Sequence, residues 1–274
     1  MANFDYGALG KKMAVNDVVY TALFGCYEGL NEISHKRSSS TRYVCFTDNS
    51  NLTSKSWEIV VQKNLVDNPI VNSRRVKFLG HEYFPIGTRT LYIDNTVNLL
   101  VDGSQILDDW LNGFNLAFMA HYSRINLRNE FLVCSVYEKD SQEILFKQFK
   151  SYCSQFPGIM DESIYWGGMI AKINCEEVSK FMNVWFQEYL IFSKRDQLSL
   201  KIGLRKSPIH HHVLKESNSE SQWHIWPVYN NRIGLSNLTK TQIYKRRLKY
   251  FLNGMRFGIR FYLPIRGNFR SNFR

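Results

Sequence analysis

Thr90-Leu91-Tyr92-Ile93-Asp94-Asn95-Thr96-Val97-Asn98-Leu99-Leu100 is the stretch whose reading decides the fold. It is an apolar, β-favouring run interrupted by one carboxylate, Asp94. A charge inside such a run is costly unless it is paired, hydrogen-bonded or bound to a cation. In open α/β sheets ligands bind outside the C-terminal ends of the strands, which gives Asp94 a reason to stand where it does. The competing reading is that Asp94 only caps the turn after the strand.

Working outward, Asp17-Val18-Val19-Tyr20-Thr21-Ala22-Leu23-Phe24-Gly25 reads as a strand ending at glycine. Arg42-Tyr43-Val44-Cys45-Phe46-Thr47-Asp48-Asn49 reads as a second, and Trp57-Glu58-Ile59-Val60-Val61 as a third. Ser73-Arg74-Arg75-Val76-Lys77-Phe78-Leu79 suits a short helix with its basic residues on the exposed side. Apolar residues at helical spacing predict two longer helices, Lys139 to Phe156 and Glu176 to Phe192. Strands alternating with helices indicate an α/β domain. Lys215 to Gln222 is the most linker-like stretch.

The 274 residues fit one large domain, or one domain with an appendage, and 44% hydrophobic residues can fill a sizeable core. No run approaches the roughly 20 apolar residues that span a bilayer, and Met1 to Lys12 lacks the pattern of a secretory signal. Five scattered cysteines, with no C-x-x-C pair, suit reduced thiols. The expected location is therefore cytoplasmic. The net charge of +11 is uneven: residues 1–220 hold 24 basic and 24 acidic residues, whereas 221–274 hold 11 basic residues and no acid. The basic excess belongs to a tail, which argues against a nucleic-acid-binding core and for a separate anionic partner of the tail.

Several segments together carry a resemblance. Val19-Tyr20-Thr21-Ala22-Leu23-Phe24-Gly25-Cys26-Tyr27-Glu28 with Arg42 to Asp48 resembles the opening of a family of glycosyltransferase-like domains. That family is known from plant proteins linked to pectin, mucilage and turgor control and from bacterial relatives, and was long classed as a domain of unknown function. The likeness continues through Arg75-x-Lys77, His81-x-x-Phe84-Pro85, Tyr92-Ile93-Asp94, His121-x-x-Arg124, Tyr137-Glu138 and Gly167-Gly168. It is clearest at Trp185-Phe186-Gln187-Glu188 and Phe192 to Ser199, and spans roughly residues 17–205.

The resemblance implies a GT-A-type fold with a Rossmann-like half that holds a nucleotide-sugar, expected to be a UDP-sugar, and with Mn²⁺ or Mg²⁺ on the diphosphate. GT-A enzymes usually hold that metal with a strand-end D-x-D. Asp94-Asn95-Thr96 lacks the second carboxylate, so more of the coordination passes to other groups. The implied metal ligands are Asp94 with His210 or His212, and His224 competes for the histidine role. Tyr20, Thr21 and Ala22 are candidates to contact the base, and Arg75 and Lys77 to meet the diphosphate. A solvated helix face is the other reading of that basic cluster.

Asp196, with Arg195 beside it, is the catalytic candidate: a general base on the acceptor hydroxyl, a stabiliser of an oxocarbenium-like state, or simply a helix cap. Gly167 and Gly168 would let backbone approach a sugar, with Trp166 stacking on it, or they form an ordinary turn beside a core tryptophan.

From Lys240 to Leu263, Ile243, Tyr244, Leu248, Phe251, Leu252, Met255, Ile259 and Tyr262 recur at helical spacing, with Lys245, Arg246, Lys249, Arg256 and Arg260 largely between them. A basic amphipathic helix suits an anionic membrane surface at the inner membrane face; docking on the body is the alternative, and nucleic acid the third option. The expected organisation is a GT-A-like catalytic domain over 1–220 and a basic tail over 221–274. The expected activity is metal-assisted sugar transfer from a nucleotide-sugar to a glycan or lipid-linked glycan. The alternative is a non-catalytic nucleotide- or glycan-binding member of the same fold.

Overall fold

The computed structural model of the chain describes residues 17–232 and 240–258. Met1 to Lys12 and the tail residues Ile259, Arg260, Tyr262 and Leu263 lie outside the described residues, as does the side chain of Ile243. The strands are β1 (Asp17–Leu23), β2 (Thr41–Thr47), β3 (Glu58–Val61), β4 (Arg89–Ile93), β5 (Asn98–Leu99), β6 (Leu116–Ala120), β7 (Tyr165–Ile173), β8 (His212–Leu214) and β9 (His224–Ile225). The helices are α1 (Pro69–Phe78), α2 (Gly103–Trp110), α3 (Leu127–Val136), α4 (Gln142–Gln155), α5 (Glu176–Ile191), α6 (Asp196–Lys206) and α7 (Lys240–Arg256).

Seven strands form one sheet in the order β3-β2-β1-β4-β7-β6-β8, while β5 and β9 make a separate pair. β7 alone runs against its neighbours in the main sheet; the other pairings are parallel. Both faces are covered, which is why β1 is buried at every position rather than alternating. Val18, Tyr20 and Ala22 pack with Val76 and Phe78 of α1 and with Phe181 and Trp185 of α5. Val19 and Leu23 pack on the opposite face with Ile106, Leu107 and Trp110 of α2. A third cluster joins α3, α4 and α6, and Phe257 from the end of the tail helix is buried in it.

Chain direction reverses its order of travel at β1: β2 and β3 lie on one side and β4 on the other. A crevice outside the carboxyl ends of β1 and β4 is the switch-point position at which such sheets take ligands. Because β7 is antiparallel, its beginning lies beside the end of β4, with Met169 opposite Ile93. The Asp94 backbone N–H donates to the Gly168 carbonyl at 2.8 Å, stitching the two elements at the site.

Several expected boundaries shift for local reasons. The run from Thr90 to Leu100 is two strands, because the chain turns at Asp94, with Val97 N–H bonding the Asp94 carbonyl at 2.8 Å. α1 begins at Pro69, where Asn68 accepts the Ile70 N–H at 3.0 Å and Pro fits the first helical position. The helix expected from Lys139 starts at Gln142, capped by the Ser141 hydroxyl on Ile144 N–H at 3.2 Å. Around residue 220, β9 pairs with β5, Trp223 is buried, and Asn218 in the expected linker is buried too.

Candidate functional site

A cavity of about 890 Å³ opens outside the carboxyl ends of β1, β4 and β6. Its floor is built by the turn after β4, the start of β7, the first residues of α6 and one face of α1. Asp94, Gly167, Gly168, Asp196, Arg195 and Arg74 line it together.

α1 supplies the cations. Arg74 and Lys77 are three residues apart and so share a helical face. Lys77 is fully buried, its Nζ paired with Asp196 Oδ2 and 3.8 Å from Asp94 Oδ1. Arg74 Nε lies 3.6 Å from Asp196 Oδ2, and its Nη1 lies 3.9 Å from Asp94 Oδ1. Two carboxylates distant in sequence thus converge on one ammonium and one guanidinium. Burial alone would push Asp196 up, but Lys77, Arg74 and Arg195 hold it well below the ordinary carboxylate range. It is ionised, and correspondingly a weak base.

Asp94 is the more open carboxylate, its side chain 29% exposed. Its Oδ1 accepts the Tyr92 hydroxyl at 2.8 Å. Burial first, and the Asp94 charge second, keep the Tyr92 phenol protonated as that donor. No hydrogen bond reaches Asp94 Oδ2 among the described residues, so this oxygen is free to ligate. The two residues that follow are otherwise engaged. Asn95 accepts Asn31 N–H at 3.0 Å and donates to the Gly29 carbonyl at 2.9 Å, while the Thr96 hydroxyl accepts Trp226 Nε1–H at 3.1 Å.

The glycines serve the site differently from expectation. Both stand inside β7 rather than in a turn. A Cβ on Gly167 would come within 3.0 Å of Lys77 Nζ and 3.2 Å of Asp196 Oδ2, so its bareness makes room for the buried ion pair. A Cβ on Gly168 would lie 2.2 Å from the Trp166 ring, which is itself buried and stacked on His224.

Other expected site residues are placed elsewhere. Tyr20 is a core residue: its ring packs against Phe46, Phe84 and Tyr92, and its hydroxyl donates to the Lys77 carbonyl. Thr21 is buried on the opposite face, and of the three β1 candidates Ala22 alone lines the cavity. Arg75 points off the site face of α1, where Nη1 donates to the Tyr83 hydroxyl at 2.8 Å and Nη2 pairs with Glu82. His210 and His212 do not join Asp94. Both rings pack on Phe114, His212 Nδ1 is 2.9 Å from the Trp110 carbonyl, and β8 places His212 beside Ala117, well before the cavity end of β6. His224 is buried with both ring nitrogens bonded, to Ser221 and to the Asn218 carbonyl. Among the described residues no three His, Cys, Asp or Glu side chains gather into a metal cage. The donor set instead fits a hard cation held by one carboxylate, with substrate phosphates completing the shell, as Mg²⁺ is often bound.

Sequence reasoning missed Arg74, whose signal was its three-residue spacing from Lys77. Of the cavity's second wall it named His121 and Arg124 after β6 in the resemblance without a site role, and left out Glu130 of α3 and Lys139. Arg124 pairs with Glu130 at 3.3 Å. Burial, then Arg124, lower His121 to about 3, so the imidazole is neutral.

Beneath the site Lys172 is buried, its Nζ 3.3 Å from the Lys77 carbonyl and 5.5 Å from the Tyr20 ring centre. Burial and then Lys77 lower it to about 7. The unfolded chain, with an ordinary lysine near 10.4, therefore binds this proton more tightly between about pH 7 and pH 10. Stability should rise with pH across that window, by up to about 1.4 kcal/mol per unit. Denaturant melts of Lys172→Met should show a flatter dependence; an equal slope in both proteins would contradict the assignment.

A mostly parallel sheet with helices on both faces and a charged crevice at its switch point defines a Rossmann-like α/β domain. Residues 11–218 match the family described as TOD1/MUCI70, glycosyltransferase-like domain, and the chain belongs to that family. Glycosyl transfer is the class of activity this membership suggests. No curated protein matches the chain.

Proposed function

We propose that the cavity binds a nucleotide-sugar, a UDP-sugar by expectation, and transfers its sugar to a glycan or lipid-linked glycan. The observation that carries this reading is the convergence of Asp94 and Asp196 on Arg74 and Lys77 at the floor of a switch-point cleft. At about 890 Å³ the space lies within the range of small-molecule sites and leaves room beyond a nucleotide for an acceptor.

In this reading Asp94 would hold a Mn²⁺ or Mg²⁺ ion together with the donor phosphates. Such an ion neutralises the charge that grows on the departing nucleoside diphosphate. Arg74 adds a fixed guanidinium beside it. Asp196 is too strongly held as the anion to be an efficient base. We assign it instead to electrostatic support of positive charge at the anomeric carbon, with Lys77 fixing its position. Arg195, next to it on the cavity wall, orients the sugar or acceptor oxygens.

The non-catalytic alternative has one observation in its favour: Asn95 and Thr96 spend their side chains on structure, leaving one metal-binding carboxylate. A thermal-shift panel of nucleotide-sugars with and without Mn²⁺ tests the reading, since ligand bound only by the folded state raises Tm. One donor should shift Tm more with metal than without; a panel with no shift would remove the proposal.

The tail helix favours membrane contact. α7 docks on the body through one face: Arg246 lies over Tyr137, Asn253 donates to Ser135 at 2.6 Å, Lys249 pairs with Glu138, and Phe257 is buried just beyond. Tyr244, Leu248, Leu252 and Met255 stand on the opposite face and are exposed, Tyr244 to 70%. An outward apolar stripe on a helix from an acid-free segment suits the surface of an anionic bilayer. No helix among the described residues is long and apolar enough to cross a membrane. The chain should sediment with phosphatidylglycerol-containing vesicles and not with phosphatidylcholine alone, and Leu248→Ser/Leu252→Ser should abolish this without lowering Tm. Equal sedimentation of the double variant would contradict the assignment.

A further inference from the structure

The cavity wall carries more basic groups than its acids can pair. Beside Asp94 every cation faces an acid: Lys77 and Arg74 are shared between Asp94 and Asp196. Around Lys139 the balance fails. Lys139 lines the cavity and forms no ion pair among the described residues. The charged neighbours acting on it include Arg195, Arg232 and Arg246, the last supplied by the tail helix. Arg195 Nε is buried on the cavity wall with no hydrogen-bond partner.

The nearby acids are already committed. Glu130 is bound by Arg124 at 3.3 Å, Glu28 by Arg232 at 3.4 Å, Glu138 by Lys249, and Asp196 by Lys77. The remaining neighbour, Cys134, is a buried thiol pushed up first by burial and then by Glu130, so it brings no negative charge. Partial enclosure and then the positive groups around it lower Lys139 below an ordinary lysine. A fold that gathers more cations than acids around an open cavity leaves the excess charge to be met by a ligand.

We infer that Lys139, Arg195 and Arg232 form a subsite for a phosphate group, separate from the position of the donor diphosphate at Asp94. Arg232 already shares its charge with Glu28, so Lys139 and Arg195 leave about two positive charges unmet; a carboxylate carries one, whereas a phosphate monoester brings close to two and three acceptor oxygens for guanidinium and ammonium donors. That this phosphate belongs to the acceptor rests on the transferase reading; the subsite itself does not. Arg246, on the docked face of α7, brings the charge of that helix to the subsite.

The test uses the full chain saturated with UDP and Mg²⁺ and titrated with inorganic phosphate, followed by Tm and by calorimetry. Phosphate should still bind to the UDP-loaded protein. Lys139→Ala should weaken phosphate by about tenfold, and Lys139→Arg should retain it, while UDP affinity stays within about twofold in both. Lys139 is exposed, so the alanine variant should fold, with a Tm equal to or above wild type because a like-charge contact is relieved. Absence of any phosphate response, displacement of phosphate by UDP, or parallel loss of UDP and phosphate affinity in Lys139→Ala would overturn the subsite. Phosphate binding that depends on Lys139 in a protein with no nucleotide affinity would uphold the subsite and remove the donor reading. Glycerol 3-phosphate and phosphatidic acid vesicles, each competed against phosphate, distinguish a soluble phosphomonoester from a lipid headgroup.

Discussion

Asp94→Ala should remove the metal dependence of UDP binding while leaving the fold intact. The fold survives because each partner of this carboxylate has somewhere else to go. Lys77 and Arg74 keep Asp196, Tyr92 remains packed against Tyr20, and the backbone bonds from Asp94 to Gly168 and from Val97 to Asp94 do not involve the side chain. The metal dependence does not survive, because among the described residues Asp94 is the carboxylate at the end of β4 that lines the cavity and has an oxygen without a hydrogen bond. Loss of a single hard ligand from a one-carboxylate site should cost at least about tenfold in affinity measured with Mn²⁺. Calorimetry of UDP with and without Mn²⁺ reads both limbs. Unchanged metal-dependent affinity would show that the cation sits elsewhere.

Lys77→Met should have the largest effect on stability. It strands Asp196, which is buried and loses its closest partner, and breaking one side of a buried ion pair typically costs about 3–5 kcal/mol. The double variant Lys77→Met/Asp196→Asn should recover most of that loss, since the uncompensated charge is gone. The sign of the pH dependence is also fixed. In the wild type the Asp196 carboxyl lies below its unfolded value near 3.9, so its contribution is present above about pH 4 and declines as pH falls toward the folded value. In Lys77→Met that advantage is reduced, so the stability gap to wild type should narrow as pH drops below about 4. Urea melts of the two single variants and the double variant form the cycle. Additive losses would mean that the pair carries no coupling.

β1, β2 and the Asp94 strand announced themselves in the sequence because fully covered parallel strands are continuous apolar runs, and a lone charge at their end is conspicuous. β7 did not. Tyr165-Trp166-Gly167-Gly168-Met169-Ile170-Ala171-Lys172-Ile173 carries two glycines and a lysine inside a buried strand. Each is there for tertiary reasons, namely room for the Lys77–Asp196 pair, room for the Trp166 ring, and contact with the Lys77 carbonyl. Nothing local reports those needs.

The basic cluster of α1 shows the same limit. Reading it as a solvated face was reasonable from charge alone, yet Lys77 is buried and Arg75 is the residue that leaves the site. The partner that draws Lys77 inward, Asp196, lies 119 positions away. The histidines failed for a geometric reason: an extended segment does place His210 and His212 on one side, but that side meets Phe114. The expected amphipathic tail runs past the described residues; within Lys240–Arg256 docking and exposure use opposite faces of one helix, which spacing alone does not reveal. Asp94 itself was visible early because a carboxylate needs a compensating partner wherever a strand is buried.

The central claim is that this cleft holds a nucleotide-sugar by its diphosphate at Asp94. Its most direct measurement is the release of nucleoside diphosphate from a panel of nucleotide-sugars incubated with the protein, Mn²⁺ and no acceptor, beside Asp94→Ala. A transferase leaks slow turnover to water, so one donor should yield diphosphate with the wild type and none above background with the variant. Equal release by both proteins would contradict the account, and so would a panel in which no nucleotide-sugar is either bound or consumed.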